Sequence, residues 1–247
     1  MSTIRSDKLI RNKLSSGRQS PLATYRQLTV GQMSTWKFII YELITMLVMP
    51  LPGGLGFLLR KKLYRFYFGK MGRGAIIGRN VTLRHPDRIF LGDNVTIDDG
   101  CIVDGRGAEA GVVFDDGVMI NRNCMVLAKN GPIHIGAKTT IGANSVIVSM
   151  AGVEIGSSVM FAGGCYISAG AYRVDGSHGP LMEQDAYSEG PITVGSGAWL
   201  GTSAVVLDGA SVGSGTVVGA GAVVDGPIPE HVIALGVPAR VHRERKL

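Results

Sequence analysis

Residues 194–224 read VGSGAW (194–199), LGTSAV (200–205), VLDGAS (206–211), VGSGTV (212–217), VGAGAV (218–223) and Val224. A branched apolar residue opens every six-residue unit. Gly follows it at 195, 201, 213 and 219, and a small residue sits four places on, at Ala198, Ala204, Ala210, Thr216 and Ala222. A helix repeats every 3.6 residues and a strand every two, so neither explains a period of six. A hexapeptide β-helix does: each unit is one short strand plus a turn, and three units close a triangular coil. Coils stack at about the 4.8 Å strand spacing. The first side chain of each unit fills the prism, and the fifth must be small because it also points inward near a corner. The fold class is therefore an all-β solenoid, a parallel β-helix.

The same rhythm is legible upstream. Units start at Ile77, Leu91, Ile97, Phe114, Ile120, Ile135, Ile141, Ile155 and Phe161, with residues inserted near 105–112, 131–134 and 150–154. Roughly seven coils are expected. The pattern stops at 169–192, AGAYRVDGSHGPLMEQDAYSEGPI, which reads as a loop projecting from one face, often the functional one in solenoids. Asp93, Asp98, Asp99, Asp104, Asp115 and Asp116 lack EF-hand order, and Asp-Asn and Asp-Gly are common turn formers. Cys101, Cys124 and Cys165 each fall at the small fifth position, with no disulfide or metal spacing. They read as packing residues in a reduced, cytoplasmic setting.

The chain of 247 residues carries a net +6, unevenly distributed. Residues 1–73 hold 13 basic and 2 acidic side chains, a net +11, which leaves −5 for the remainder. The solenoid is thus acidic and the leading segment basic, which favours an anionic surface, most simply a membrane, over nucleic acid. Four regions follow: a mobile basic arm (1–35), an apolar and basic helical hairpin (36–73), the β-helix with its loop (74–230) and a C-terminal basic tail (231–247). No signal peptide is expected in the polar first thirty residues. Phe38 to Leu59 is nearly all apolar, but Pro50, Pro52, Gly53 and Gly54 break it, and both flanks are basic. A re-entrant or interfacial hairpin over 36–68 fits better than a span. The competing reading packs the hairpin on its own β-helix or on a neighbouring subunit.

Of five His, at 85, 134, 178, 231 and 242, only His178 lies in the projecting loop. An imidazole with a pKa near neutrality is the natural group to take a proton from a hydroxyl or amine. Asp175, Glu183 and Asp185 are near it in sequence and are candidates to orient the ring or meet an acceptor. No nucleophile elbow and no phosphate-binding G-x-x-x-x-G-K-[ST] is present. His134 and His178 are too far apart for a three-His zinc site. No metal is expected.

The hexapeptides, the His178 loop, Pro191-Ile-Thr-Val-Gly, Ala198-Trp-Leu-Gly, Gly219-Ala-Gly-Ala-Val-Val and Gly236-Val-Pro-Ala-Arg240 resemble the left-handed β-helix hexapeptide-repeat O-acetyltransferases. That family includes galactoside and maltose acetyltransferases and polysaccharide-modifying enzymes. The resemblance implies a left-handed helix, a homotrimer with sites in the grooves between neighbours, and acetyl-CoA as co-substrate. It implies His178 as general base. Trp199 would wall the site, Gly201 and Thr202 would line the thioester end with an oxyanion-binding amide, and Ala220 would touch pantetheine. Arg240 would approach the nucleotide phosphates. Asp225-Gly226 replaces a Thr-Lys common in relatives, so one cation is missing, with Arg240 or Arg243 to compensate. Some related loops place their His where this chain has Tyr172. The expected activity is O-acetylation of a sugar hydroxyl on a glycan or lipid-linked saccharide, by a peripheral or monotopic protein at the inner face of the membrane. N-acetylation of an amino sugar on a nucleotide carrier, or a non-catalytic trimeric scaffold, are the alternatives.

Overall fold

A computed structural model describes residues 2–4, 20–106, 111–172 and 186–246, with the backbone alone at 2–4, 172 and 186. Three parallel sheets form the faces of a prism. Each coil visits them in a fixed order. The first coil places Lys70–Met71 on the first face, Ile76–Ile77 on the second and Thr82–Arg84 on the third. The third face holds seven strands, so seven coils close, and Pro227–Ile228 and Val232–Leu235 begin an eighth. The helix is left-handed and is preceded by helices.

Register follows the repeat. Ile133 pairs with Val153 and Val112, and Ile135 with Ile155 and Phe114, so like positions stack. The inward column of Ile89, Ile97, Ile120, Ile133, Ile141, Ile147 and Ile167 is fully buried. Position five is buried as well, and its hydroxyls and thiols donate to the next coil: Thr139 Oγ1 to Gly156 O at 2.8 Å, Cys101 Sγ to Asn121 O at 3.0 Å, Cys124 Sγ to Gly142 O at 3.1 Å. The three free cysteines are thus packing residues. Position four is a left-handed turn, held by Asn94 (φ 57°) and Gly197 (φ 70°), where a Cβ is costly for most residues. Asp93 and Asp99 are turn builders too. Asp93 accepts from Arg73 N and Asp99 from Arg79 N, at 2.7 and 2.6 Å, and each also pairs with that arginine's guanidinium.

The irregular insertions share one corner, between the third face and the next first face. They are His85–Arg88, 105–111, Lys129–Pro132, Met150–Gly152 and Gly170–Pro191. All outgrowths therefore emerge along a single edge of the prism. Buried Asp104 organises its lower end, pairing with Arg106 at 2.7 Å beside His85.

Three helices cover the first coil: α1 (Pro21–Val30), α2 (Thr35–Val48) and α3 (Gly53–Leu63). Ser20 caps α1, accepting from Ala23 N at 3.2 Å, with Pro21 in the first turn. The Pro50–Pro52 break separates α2 from α3, giving the hairpin read from the sequence. The hairpin is seated on the β-helix: Tyr41 OH donates to Leu83 O at 2.5 Å, and Asn80 N to Met49 O at 3.1 Å. Buried Arg60 donates to Val48 O and Leu51 O at the end of α2, and to Ile77 O in the first coil.

Two boundaries differ from the sequence reading. The solenoid starts at Lys70–Met71, which pairs with Phe90–Leu91 before any hexapeptide is visible. Residues 232–244 form an antiparallel hairpin that extends the second face, rather than a tail. Both depend on backbone pairing, which leaves no side-chain period. No described helix is long and apolar enough to cross a membrane.

Candidate functional site

The predicted loop emerges between coils five and six. Its two limbs pair, Ala171 with Tyr187 and Tyr172 with Ala186, antiparallel. The returning limb is fastened at its foot. Ser188 Oγ donates to Asp208 Oδ1 at 2.8 Å, and Glu189 N to Asp208 Oδ2 at 2.6 Å. The outer edge of Ala186–Ser188 is occupied by Ser2–Ile4, with Thr3 opposite Tyr187. The tip lies outside the described residues, and with it His178, Asp175, Glu183 and Asp185. Tyr172 sits in the outgoing limb.

The loop returns into the coil that carries the expected acyl-donor residues. Trp199 lies on the second face, 45% exposed, between Met160 and Val217. Gly201 is a contact glycine: a Cβ there would lie 2.6 Å from Ala220 N. This stacks the Gly201 turn directly on the Ala220 turn, so two predicted residues are neighbours. The Gly201 amide is spent on Val218 O at 2.8 Å. Thr202 is exposed, and its amide has no acceptor among the described residues. Of the pair, Thr202 is therefore the one with an N–H left to donate.

Arg240 is not a free cation. Its Nη1 lies 2.9 Å from Asp225 Oδ1 and also donates to Ala239 O at 2.8 Å. Asp225 stands where the resemblance leads to the expectation of Thr. It accepts this hydrogen bond, which holds its carboxyl below the usual range. The expected compensation by Arg240 thus meets a carboxylate already in place, while Arg243 lies exposed in the final strand without an ion-pair partner among the described residues.

A cluster absent from the sequence reading sits on the first face. His134 Nε2 lies 3.1 Å from Asp115 Oδ2, and His134 Nδ1 lies 3.0 Å from Glu154 Oε2. Burial opposes charge on the ring, yet the two carboxylates outweigh it and its pKa is raised. The cluster opens a groove of about 690 Å³ running past Thr193, Ser211 and Glu230. The signal was the coil length: 115, 134 and 154 are one coil apart. The other faces are apolar outside. Ile76, Met119, Met160 and Trp199 are exposed on the second, Met125 and Tyr166 on the third.

Two family models match: a bacterial transferase hexapeptide model of six repeats at residues 191–226, and a hexapeptide repeat of succinyl-transferase at 132–169. A probable acetyltransferase of Mycobacterium tuberculosis is 34% identical over 122 residues, which are 49% of this chain and 40% of that protein. Galactoside O-acetyltransferase of Escherichia coli is 37% identical over 112 residues, 45% of this chain and 54% of that one. A putative colanic acid biosynthesis acetyltransferase of Escherichia coli is 27% identical over 186 residues, 75% of each chain. The chain spans about half the length of the first two relatives. The chain is a β-solenoid of hexapeptide repeats, similar over part of its length to galactoside and polysaccharide-biosynthesis acetyltransferases.

Proposed function

We propose that this β-solenoid transfers an acetyl group from acetyl-CoA to a hydroxyl of a glycan or lipid-linked saccharide at the inner face of a membrane. The observation that carries the reading is local. A long outgrowth returns into the coil where Trp199 is exposed and the Thr202 amide has no acceptor among the described residues. His178 takes the proton of the acceptor hydroxyl, whose oxygen attacks the thioester carbonyl. The tetrahedral oxyanion is met by the Thr202 amide. As it collapses, the C–S bond breaks and the CoA sulfur leaves, receiving the proton from the His178 imidazolium. A preorganised amide donor of this kind supplies about 10²–10³-fold. Arg243, rather than Arg240, is the cation for the nucleotide phosphates.

The acceptor class is supported by the relatives that act on galactosides or in colanic acid biosynthesis. The membrane is supported by the helical cap. Trp36, Ile39, Leu43, Met46 and Leu47 form one exposed stripe on α2, continued by Leu55 and Leu58 of α3. Exposed Lys37, Lys61, Lys62 and Arg65 surround it. An apolar stripe edged with cations lies flat in the headgroup region. The homotrimer is supported by the two outward apolar faces, which meet at one edge of the prism and leave the polar first face free.

The test is a transfer assay with labelled acetyl-CoA and a membrane glycolipid extract. Wild type is expected to label an extractable saccharide and His178→Ala is not, with acetyl-CoA binding retained by both. Full turnover by His178→Ala would remove His178 as the base. Failure of the wild type to bind acetyl-CoA would remove the enzyme reading.

A further inference from the structure

We propose that the chain's own N-terminal strand, Ser2–Ile4, and Asp208 are positioning elements for the transfer loop. This rests on the reading of that loop as catalytic. The return limb Ala186–Ser188 is three residues long and pairs with only Ala171 and Tyr172 on the loop side. A two-stranded ribbon of that length is marginal in water. Its other edge would present unpaired N–H and C=O groups. Ser2–Ile4 occupies that edge along its whole length, Ser2 opposite Ser188, Thr3 opposite Tyr187 and Ile4 opposite Ala186. The outgoing limb and the N-terminal strand thus flank the return limb, which becomes the centre of a three-stranded antiparallel sheet.

Asp208 fixes the remaining degree of freedom. One carboxylate oxygen takes the Ser188 hydroxyl and the other takes the Glu189 amide. Bonds to a charged acceptor are roughly twice as strong as neutral ones. Asp208 stands at the second position of its hexapeptide turn and third in its unit, on a coil otherwise regular, so the clamp is anchored in rigid structure. The foot is packed tightly: a Cβ at Gly209 would lie 2.9 Å from Glu189 Cβ.

Chain length permits the connection within one molecule. α1 docks at the first coil, where His85 N donates to Thr29 O. The sheet lies about five coil rises away, or about 24 Å at the usual strand spacing. Residues 5–20 reach roughly 50 Å when extended. The leading strand therefore couples the basic arm to the loop, and a side chain on that loop is held in register with the Thr202 turn from two sides.

The test uses full-length protein, with hydrogen exchange and kinetics measured on the same variants. Thr3→Pro/Ile4→Pro removes two backbone donors and the extended geometry of one or both. Asp208→Ala removes the clamp, and Asp208→Asn keeps its shape. Amides 186–188 are expected to exchange about tenfold faster in the proline and Ala variants. Turnover should fall about tenfold or more with the KM for acetyl-CoA unchanged. Thr3→Val should retain most of both, and Asp208→Asn, which keeps the shape but offers one uncharged acceptor oxygen, should fall between wild type and Asp208→Ala. A peptide of residues 1–6 added in trans should restore protection to the proline variant. Unchanged exchange, or faster exchange with turnover within twofold of wild type, overturns the proposal. His178→Ala, run alongside, separates the two readings. If it stays active, the catalytic loop is wrong; if it is inactive while the proline and Asp208→Ala variants are normal, only the positioning role is wrong.

Discussion

His134 lies between Asp115 and Glu154, and the raised pKa of its ring links this polar face to pH. A His whose folded pKa exceeds its unfolded value contributes stability that is fully present below about pH 6.5 and lost as pH rises through the folded value. The group and its partners are well exposed, so the contribution is screened to about 0.5 kcal/mol. Wild type should therefore melt about 1–2 °C higher at pH 6 than at pH 8.5, and His134→Gln should flatten that difference. Thermal melts at the two pH values check it, and an undiminished slope in His134→Gln would assign the effect elsewhere. At the proposed transfer site, His178→Ala should lower turnover by about 10²–10⁴-fold, the usual worth of general-base action. Arg243→Ala should raise the KM for acetyl-CoA more than Arg240→Ala does, because Arg240 is engaged by Asp225. Steady-state kinetics on the two variants decides between them.

At the scale of elements, the joint between cap and solenoid depends on Arg60 and Gly56. Arg60 is buried without an ion-pair partner among the described residues, and its charge is met by the carbonyls at the C-terminal end of α2. Gly56 allows the approach, since a Cβ there would lie 2.1 Å from Leu51 O. Arg60→Met leaves Val48, Leu51 and Ile77 carbonyls without this donor and should destabilise the cap by about 2–4 kcal/mol. Gly56→Ala should do the same by steric conflict. Limited proteolysis around Pro50 should accelerate in both, while hydrogen exchange of the distant Val217–Val224 coil stays as in wild type. The cap's outer stripe carries the membrane prediction. Leu43→Glu/Leu47→Glu alters two exposed positions, so it should leave folding intact yet abolish sedimentation with anionic phosphatidylglycerol vesicles. Retained binding would place the membrane contact elsewhere.

For the whole molecule, the faces divide by polarity. The first face presents His134, Glu154, Thr193 and Ser211 outward, while the second and third present Met119, Met160, Tyr166 and their neighbours. Burying about 25 cal/mol per Å² of apolar surface favours association through the second and third faces. Met160→Asp/Tyr166→Asp should convert the proposed trimer to monomer in analytical ultracentrifugation. Acetyl transfer should fall with it, because the sites proposed between neighbours would be lost. A trimer that survives both aspartates would move the interface to the polar face.

The sequence by itself determined the solenoid, its coil count, the turn role of Asp93 and Asp99, the packing role of the cysteines and the site of the projecting loop. Each of these is written as a strict period of side-chain size and polarity, or as a break in it. The helical hairpin was equally legible, because Pro50 and Pro52 interrupt an apolar run at one place. Only the tertiary structure decided the rest. The start at Lys70, the terminal hairpin and the Ser2–Ile4 strand are made by backbone pairing, which has no residue signature. His134, Asp115 and Glu154 meet because coil stacking brings residues about twenty apart to one spot. Arg240 is paired with Asp225 across a turn, and the Thr202 amide has no acceptor among the described residues, for the same reason: what a group touches depends on the coil above it, not on its neighbours in the chain.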